Sequence, residues 1–225
     1  MIIYLVILAV LIICVFIYWK LFFFYRDPER TIPKGNNIVS AADGTVVYVR
    51  QVDDLSVPIS IKGKKEIKLE EIVKFGSLDK SPYYIVGVFM HPTDVHVNRS
   101  PISGTVKKII YTRGKNLPMT LMWWRVLLGI KPYEFYSRHI IQNERNTIMI
   151  EGQLPVYVTQ IADIYVSKIE CRVKEGENLE KGQRIGMIKM GSQVDIIFPA
   201  LPNIQVVAKE GQKIKAGEGI IAEII

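Results

Sequence analysis

Residues 189–199 read KMGSQVDIIFP, and the Gly191-Ser192 pair within them is where this chain could do chemistry. A serine becomes a nucleophile when a neighbouring base takes its proton. The chain holds three histidines, His91, His96 and His139. Two of them fall in FMHPTDVHVNRSP, residues 89–101, together with Asp94, Asn98 and Arg99. In an extended chain Asp94, His96 and Asn98 share one face. A structural or surface histidine is the default reading of each, and His96 rises above it only if a nucleophile needs a base nearby. Asp43, in AADGTV, is the candidate that would orient it. Asp43, His96 and Ser192 could form a hydrolytic set, because such sets are defined by geometry and not by chain order. Against that reading, Gly-Ser lacks the second glycine of a nucleophile elbow, and Asp-Gly and Gly-Ser are ordinary turn pairs. A metal is not expected: His91 and His96 would project from opposite faces of a strand, and no third ligand is evident. The two cysteines, Cys14 and Cys171, lie far apart and suggest neither a disulfide framework nor a thiolate site.

The elements that must position these residues read as strands. After Ser192, Val194, Ile196 and Phe198 alternate with Gln193, Asp195 and Ile197. From Ile38 onward, short apolar runs such as YYIVGVFM, NTIMIEG and LPVYVTQIA are separated by Gly, Pro, Asn or Asp. This pattern predicts a mainly β domain over 38–225 with minor α content. Residues 69–76, LEEIVKFG, read as a short helix. One repeat is visible: VKEGENLEKGQRIGMI from Val173 and AKEGQKIKAGEGIIAE from Ala208, 35 residues later. Its Gly turns resemble those of biotinyl and lipoyl carrier domains, which are barrel-sandwich hybrids. ADGTVVYV at 42–49 and PISGTVKKI at 101–109 are similar Gly-led strand starts. Such repeats argue fold and not chemistry.

Met1–Trp19 carries no charge. As a helix it would cover roughly 28 Å, close to the hydrocarbon thickness of a bilayer. Tyr18 and Trp19 fall where an aromatic belt forms. A cleaved signal peptide fits poorly, since there is no basic n-region and no small-x-small site. Residues 1–25 are therefore expected to be a retained anchor and 26–37 a juxtamembrane linker. Lys20, Arg26, Arg30 and Lys34 all follow the span, which predicts a cytoplasmic body on the cell membrane. The net charge of +7 suits an anionic membrane surface, and no nucleic-acid motif is present. Residues 117–139 concentrate Met, Leu and the pair Trp123-Trp124 between Arg and Lys, a composition suited to the headgroup boundary or to a core helix.

Taken together, FYRDPER, SAADGTVVYV, FMHPTDVHVNRSPISGTV, NERNTIMIEG and EGENLEKGQRIGMIKMGSQVDIIFP, in this order, resemble the phosphatidylserine decarboxylase family in its short, Gly-Ser form. The resemblance runs from about Phe24 to Pro199. It implies self-cleavage at Gly191-Ser192 of a zymogen into two chains, 1–191 (β) and 192–225 (α). It implies that Ser192 becomes a pyruvoyl group that forms a Schiff base with the amine of a seryl phospholipid. Release of CO2 would then give phosphatidylethanolamine. By resemblance His96 is the acid/base and Asp43 orients or tunes a histidine during cleavage; Asn143-Glu144-Arg145 matches the family's Asn-Glu-Arg motif and stays open between a turn with an ion pair and a headgroup-phosphate contact by Arg145. Trp123 and Trp124 are candidates for substrate or membrane contact. Longer members have a second histidine where this chain has Arg99, which leaves the base for self-cleavage open. Three other readings also stay open: an archaetidylserine decarboxylase of the same chemistry, a serine hydrolase, and a non-catalytic lipoyl-like tethered module. The last would need a modifiable lysine, and Lys189 has only one flanking methionine. Homo-oligomerisation is not decided by the sequence.

Overall fold

The uncharged N-terminal run forms α1 (Ile2–Tyr18), continued by one π turn, Trp19–Phe23. Ile2–Phe23 is 22 residues long with a mean hydropathy of 3.0, which is long and apolar enough to cross a membrane. A helix satisfies every backbone group internally, as lipid requires. The computed structural model describes residues 1–53, 56–57, 67–73, 78, 82–164, 169–189 and 191–225.

Beyond the helix the chain is mainly β, as the run pattern predicts. In order come β1 (Asn37–Val39), β2 (Gly44–Val52), β3 (Ser56–Val57), β4 (Ile67–Lys68), α2 (Leu69–Val73), β5 (Tyr83–Met90), β6 (Val97–Arg99) and β7 (Gly104–Thr112). Then follow α3 (Thr120–Leu127), α4 (His139–Gln142), β8 (Arg145–Glu151), β9 (Pro155–Ala162), β10 (Ile169–Cys171), β11 (Asn178–Leu179) and β12 (Arg184–Ile188). The last are β13 (Ser192–Pro199), β14 (Ile204–Val206), β15 (Lys213–Ile214) and β16 (Ile220–Ile224). The helix expected over 69–76 is present as α2, and 74–76 fall outside the described residues.

Eight strands make one antiparallel sheet in the order β11-β7-β8-β9-β13-β5-β2-β15, curled into a half-barrel. Three-stranded sheets β1-β16-β14 and β10-β12-β6 close over it. Strand β13 lies near the middle, paired with β5 and β9 along its length. A central strand is covered on both faces, so its side chains divide between two cores. Val194, Ile196 and Phe198 enter the half-barrel core. Ile197 enters the second, packed under α2, α3 and α4 with Tyr48, Met119 and Ile140.

The repeat is structural. Leu179 pairs with Gly104 at one edge of the large sheet, and Ile214 pairs with Gly44 at the other. Gly176 N–H donates to Val106 O, and Gly211 N–H donates to Val46 O, each at 2.8 Å or less. Both β2 and β7 carry a register break at the equivalent place, Val46/Tyr48 and Val106/Lys108.

Candidate active site

Three strand ends meet at one rim of the sheet. Ser192 opens β13, and its register partners are Met90, the last residue of β5, and Ala162, the last of β9. Ser192 is fully buried. Its hydroxyl donates to Met90 Sδ at 3.2 Å, a weak acceptor that leaves the oxygen free to react. Asn98 Nδ2 meets the same sulfur at 3.7 Å. Gln160 Nε2 donates to Asn98 Oδ1 at 2.7 Å, and Asn146 Nδ2 donates to Gln160 Oε1 at 2.9 Å. A buried polar chain thus crosses an otherwise apolar core and ends beside Ser192. It consists of residues on three separated segments, which is why sequence reading singled out Asn98 alone.

Gly191 precedes the strand with φ of +60°. A Cβ there would lie 2.7 Å from Asp163 Oδ2. The position therefore favours glycine on two counts, by conformation and by space. Asp163 N–H donates to Gly191 O at 3.2 Å. Met190 of the Met-Gly-Ser-Gln motif lies outside the described residues.

His96 is fully buried beneath the end of the apolar helix: its ring centroid is 4.3 Å from that of Phe24. Its Nδ1 lies 2.9 Å from Asp94 O, a carbonyl that only accepts, so Nδ1 carries the proton. Nε2 is left as a buried lone pair with no partner among the described residues. Burial lowers the histidine to about pH 4, outweighing the Asp94 carbonyl, so it is neutral at pH 7.

Asp43 is not hydrogen-bonded to His96 or Ser192 among the described residues. Its Oδ1 accepts Ala216 N–H at 2.8 Å, and its Oδ2 pairs with Arg30 at 2.8 Å. Burial pushes this carboxyl up, and the bonds from Ala216 and Arg30 oppose the shift. The repeat explains the placement. Ser103, its counterpart in the other half, accepts Lys181 N–H at 3.0 Å in the same way. Arg99 is also engaged elsewhere, with Asp27 Oδ1 at 2.9 Å, Pro28 O at 3.1 Å and Gly182 O at 3.0 Å. It fastens the chain leaving the helix to the body.

The Asn-Glu-Arg run braces the same rim from below. Asn143 Nδ2 donates to Leu117 O and to Ala162 O, each at 2.7 Å. Arg145 is buried and turned inward, where its guanidinium donates to the carbonyls of Glu71 and Ile140 at 2.8 Å and also to Ile141. It ties α2 and α4 to the sheet and presents no face to solvent. Desolvation lowers it to about 10, opposed by the charges of Asp195 and Glu71. Trp123 is half-buried and stacked on His91 at 5.5 Å, while Trp124 is exposed. On the opposite face of β13 from Ser192, Gln193 bonds Tyr48 at 2.6 Å and His139 at 3.2 Å. Asp195 accepts Tyr48 O–H at 2.6 Å. No group of three His, Cys, Asp or Glu side chains able to hold a metal occurs among the described residues.

A rim built around a buried Gly-Ser junction agrees with what comparison finds. The sequence model described as phosphatidylserine decarboxylase matches residues 19–222. The chain belongs to the phosphatidylserine decarboxylase family. Relatives in that family include a Methanocaldococcus jannaschii protein provisionally named an archaetidylserine decarboxylase proenzyme. It is 39% identical over 207 residues, covering 89% of this chain and 87% of the relative. Phosphatidylserine decarboxylase proenzymes of Chlorobaculum tepidum and Chlorobium limicola are each 34% identical. They cover 89% and 94% of this chain, and 76% and 82% of their own lengths. Family membership agrees with the resemblance read from the five motifs, and the proenzyme names fit a precursor that is cut.

Proposed function

We propose that this protein is a membrane-anchored phosphatidylserine decarboxylase, matured by cleavage of its own Gly191-Ser192 bond. The observation that carries the reading is the junction itself. A buried serine with no strong acceptor follows a glycine at positive φ, where a larger residue would be strained and would push on the Asp163 side chain. A turn that merely starts a strand has no need of a buried hydroxyl.

A pyruvoyl group made from Ser192 would supply an electron sink for the pair left behind by departing CO2. The surrounding residues fit it. Position 192 stays between Met90 and Ala162, and the Gln193 side chain anchors the first residue after it from the opposite face. His96 presents a buried, bare Nε2 and is the residue we assign to proton transfer. Burial and the Phe24 ring exclude water from it, which favours defined proton movement over exchange. The apolar helix, the exposed apolar residues of α3 and the positive charge support a body lying against the membrane that holds the substrate. The positive flank of the helix supports a body on the cytoplasmic side.

Intact mass of the purified full-length protein tests this reading. Two chains breaking at 191/192 are expected, with the 34-residue chain (225 − 191) blocked at its N-terminus. Uncut protein with decarboxylase activity would overturn it. Ser192→Ala should remove both cleavage and activity. The Methanocaldococcus relative supports a second reading, archaetidylserine as substrate, with the same chemistry at the seryl group. Assay of diacyl and ether-linked seryl lipids in parallel decides between them.

A further inference from the structure

We infer that Asp163 is a positioning residue for self-cleavage, setting the Gly191 carbonyl for attack by Ser192. The inference rests on the proposed cleavage at Gly191-Ser192 and adds a residue to it.

The ladder between β9 and β13 ends at the pair Ser192–Ala162. One step further, Asp163 N–H donates to Gly191 O at 3.2 Å. That oxygen is the one that gains charge when Ser192 Oγ adds to the Gly191 carbonyl carbon. The Oγ proton leaves to a base as the C–O bond forms, and the carbonyl pair moves onto the oxygen. Collapse breaks the bond to the Ser192 nitrogen, which takes a proton, and leaves an ester between Gly191 and Ser192 Oγ. A main-chain N–H held on that oxygen beforehand stabilises the charge as it forms.

The Asp163 side chain holds this N–H in place. Its Oδ1 accepts Met119 N–H at 3.0 Å and Ile164 N–H at 2.6 Å. Its Oδ2 occupies the space a Cβ of residue 191 would need, at 2.7 Å. One carboxylate thus joins the residue before α3, its own turn and the scissile glycine. Cross-strand neighbours share a face and successive residues alternate. The Asp163 side chain therefore lies on the opposite side from the Ser192 hydroxyl. It does not take the serine proton; it acts through Gly191.

The test follows cleavage over time in full-length precursor synthesised into lipid nanodiscs, read by gel and intact mass. Wild type, Asp163→Asn, Asp163→Ser and Asp163→Ala are compared, with melting temperature as the check on folding. Asparagine keeps the acceptor that Met119 and Ile164 bond. It should cleave within about twofold of wild type or faster. Alanine should slow cleavage at least tenfold, less than the roughly 10²–10³-fold for losing an oxyanion donor outright, because the N–H itself remains. Serine, which can accept a bond but is too short to reach Gly191, should fall between them. The matured fraction of each variant should show wild-type kcat and KM, a split that a general loss of structure would not give. Alanine and serine variants that cleave at the wild-type rate would overturn the inference, as would asparagine as slow as alanine. Wild type that does not cleave at all would instead defeat the underlying reading.

Discussion

At the scale of single residues, the centre depends on conformations and charges that burial enforces. Gly191→Ala places a β-branch-free but still clashing side chain at φ +60° against Asp163. The backbone cost alone is about 1–2 kcal/mol, and cleavage should fall below detection over hours on the same gel assay. The buried titratable groups give a pH dependence with a defined sign. Burial lowers His96 and His139 to about 4, below the ordinary 6.5. Between those values the unfolded chain binds protons that the folded one does not, so stability falls as pH drops from 6.5 toward 4. Asp195 opposes them. Burial raises it from 3.8 to about 6, so its contribution is present below 3.8 and is lost as pH rises through 6. Two histidines against one carboxyl should leave a lower melting temperature at pH 5 than at pH 7.5. His139→Gln should narrow that difference; an unchanged difference would count against the assignment.

At the scale of elements, Arg99 and β13 carry different loads. Arg99 joins β6 to Asp27 and Pro28 just after the helix, and Arg184 of β12 reaches the same aspartate. Removing one partner of a largely buried pair costs about 3–5 kcal/mol when nothing replaces it. Arg184 remains here, so Arg99→Ala should cost less, about 2 kcal/mol. Its bonds do not touch residues 191 or 192, so the variant should melt earlier yet still cleave. Loss of cleavage without loss of stability would give Arg99 a part in the chemistry. Strand β13 stays between β5 and β9 whichever side of Ser192 is cut, and β15 and β16 pair with β2 and β1. The two chains of the matured protein should therefore co-purify without a covalent link and separate only in denaturant.

At the scale of the whole molecule, the rim bearing Ser192 and the exit of the apolar helix lie together. Phe24 covers His96, Arg26 bonds Thr93 O, Thr93 bonds His91 at 2.8 Å, and His91 stacks on Trp123 of α3. From α3 onward Trp124, Leu127, Leu128 and Ile130 are exposed. We propose that these side chains meet the membrane that the apolar helix would enter. Leu127→Ser with Leu128→Ser should raise KM for lipid in vesicles and leave the cleaved fraction unchanged. Sidedness is testable at Cys171, which is exposed on the body. An impermeant maleimide should label it in opened cells and not in intact ones.

What the sequence determined by itself is local. Apolar length set the N-terminal helix, period-two alternation set β13, and paired Gly turns set the repeat, because each depends on near neighbours along the chain. The five motifs in order were enough to indicate the family. The tertiary structure decided which residues share space. It gave Asp43 to Arg30 and Ala216, turned Arg145 inward, and engaged Arg99 with Asp27. It also brought Asn98, Gln160 and Asp163 to the junction. Those outcomes depend on strand register, where one step moves a side chain to the other face. Register across β9, β13 and β5 is set by how the whole sheet packs, and no short stretch of sequence contains it.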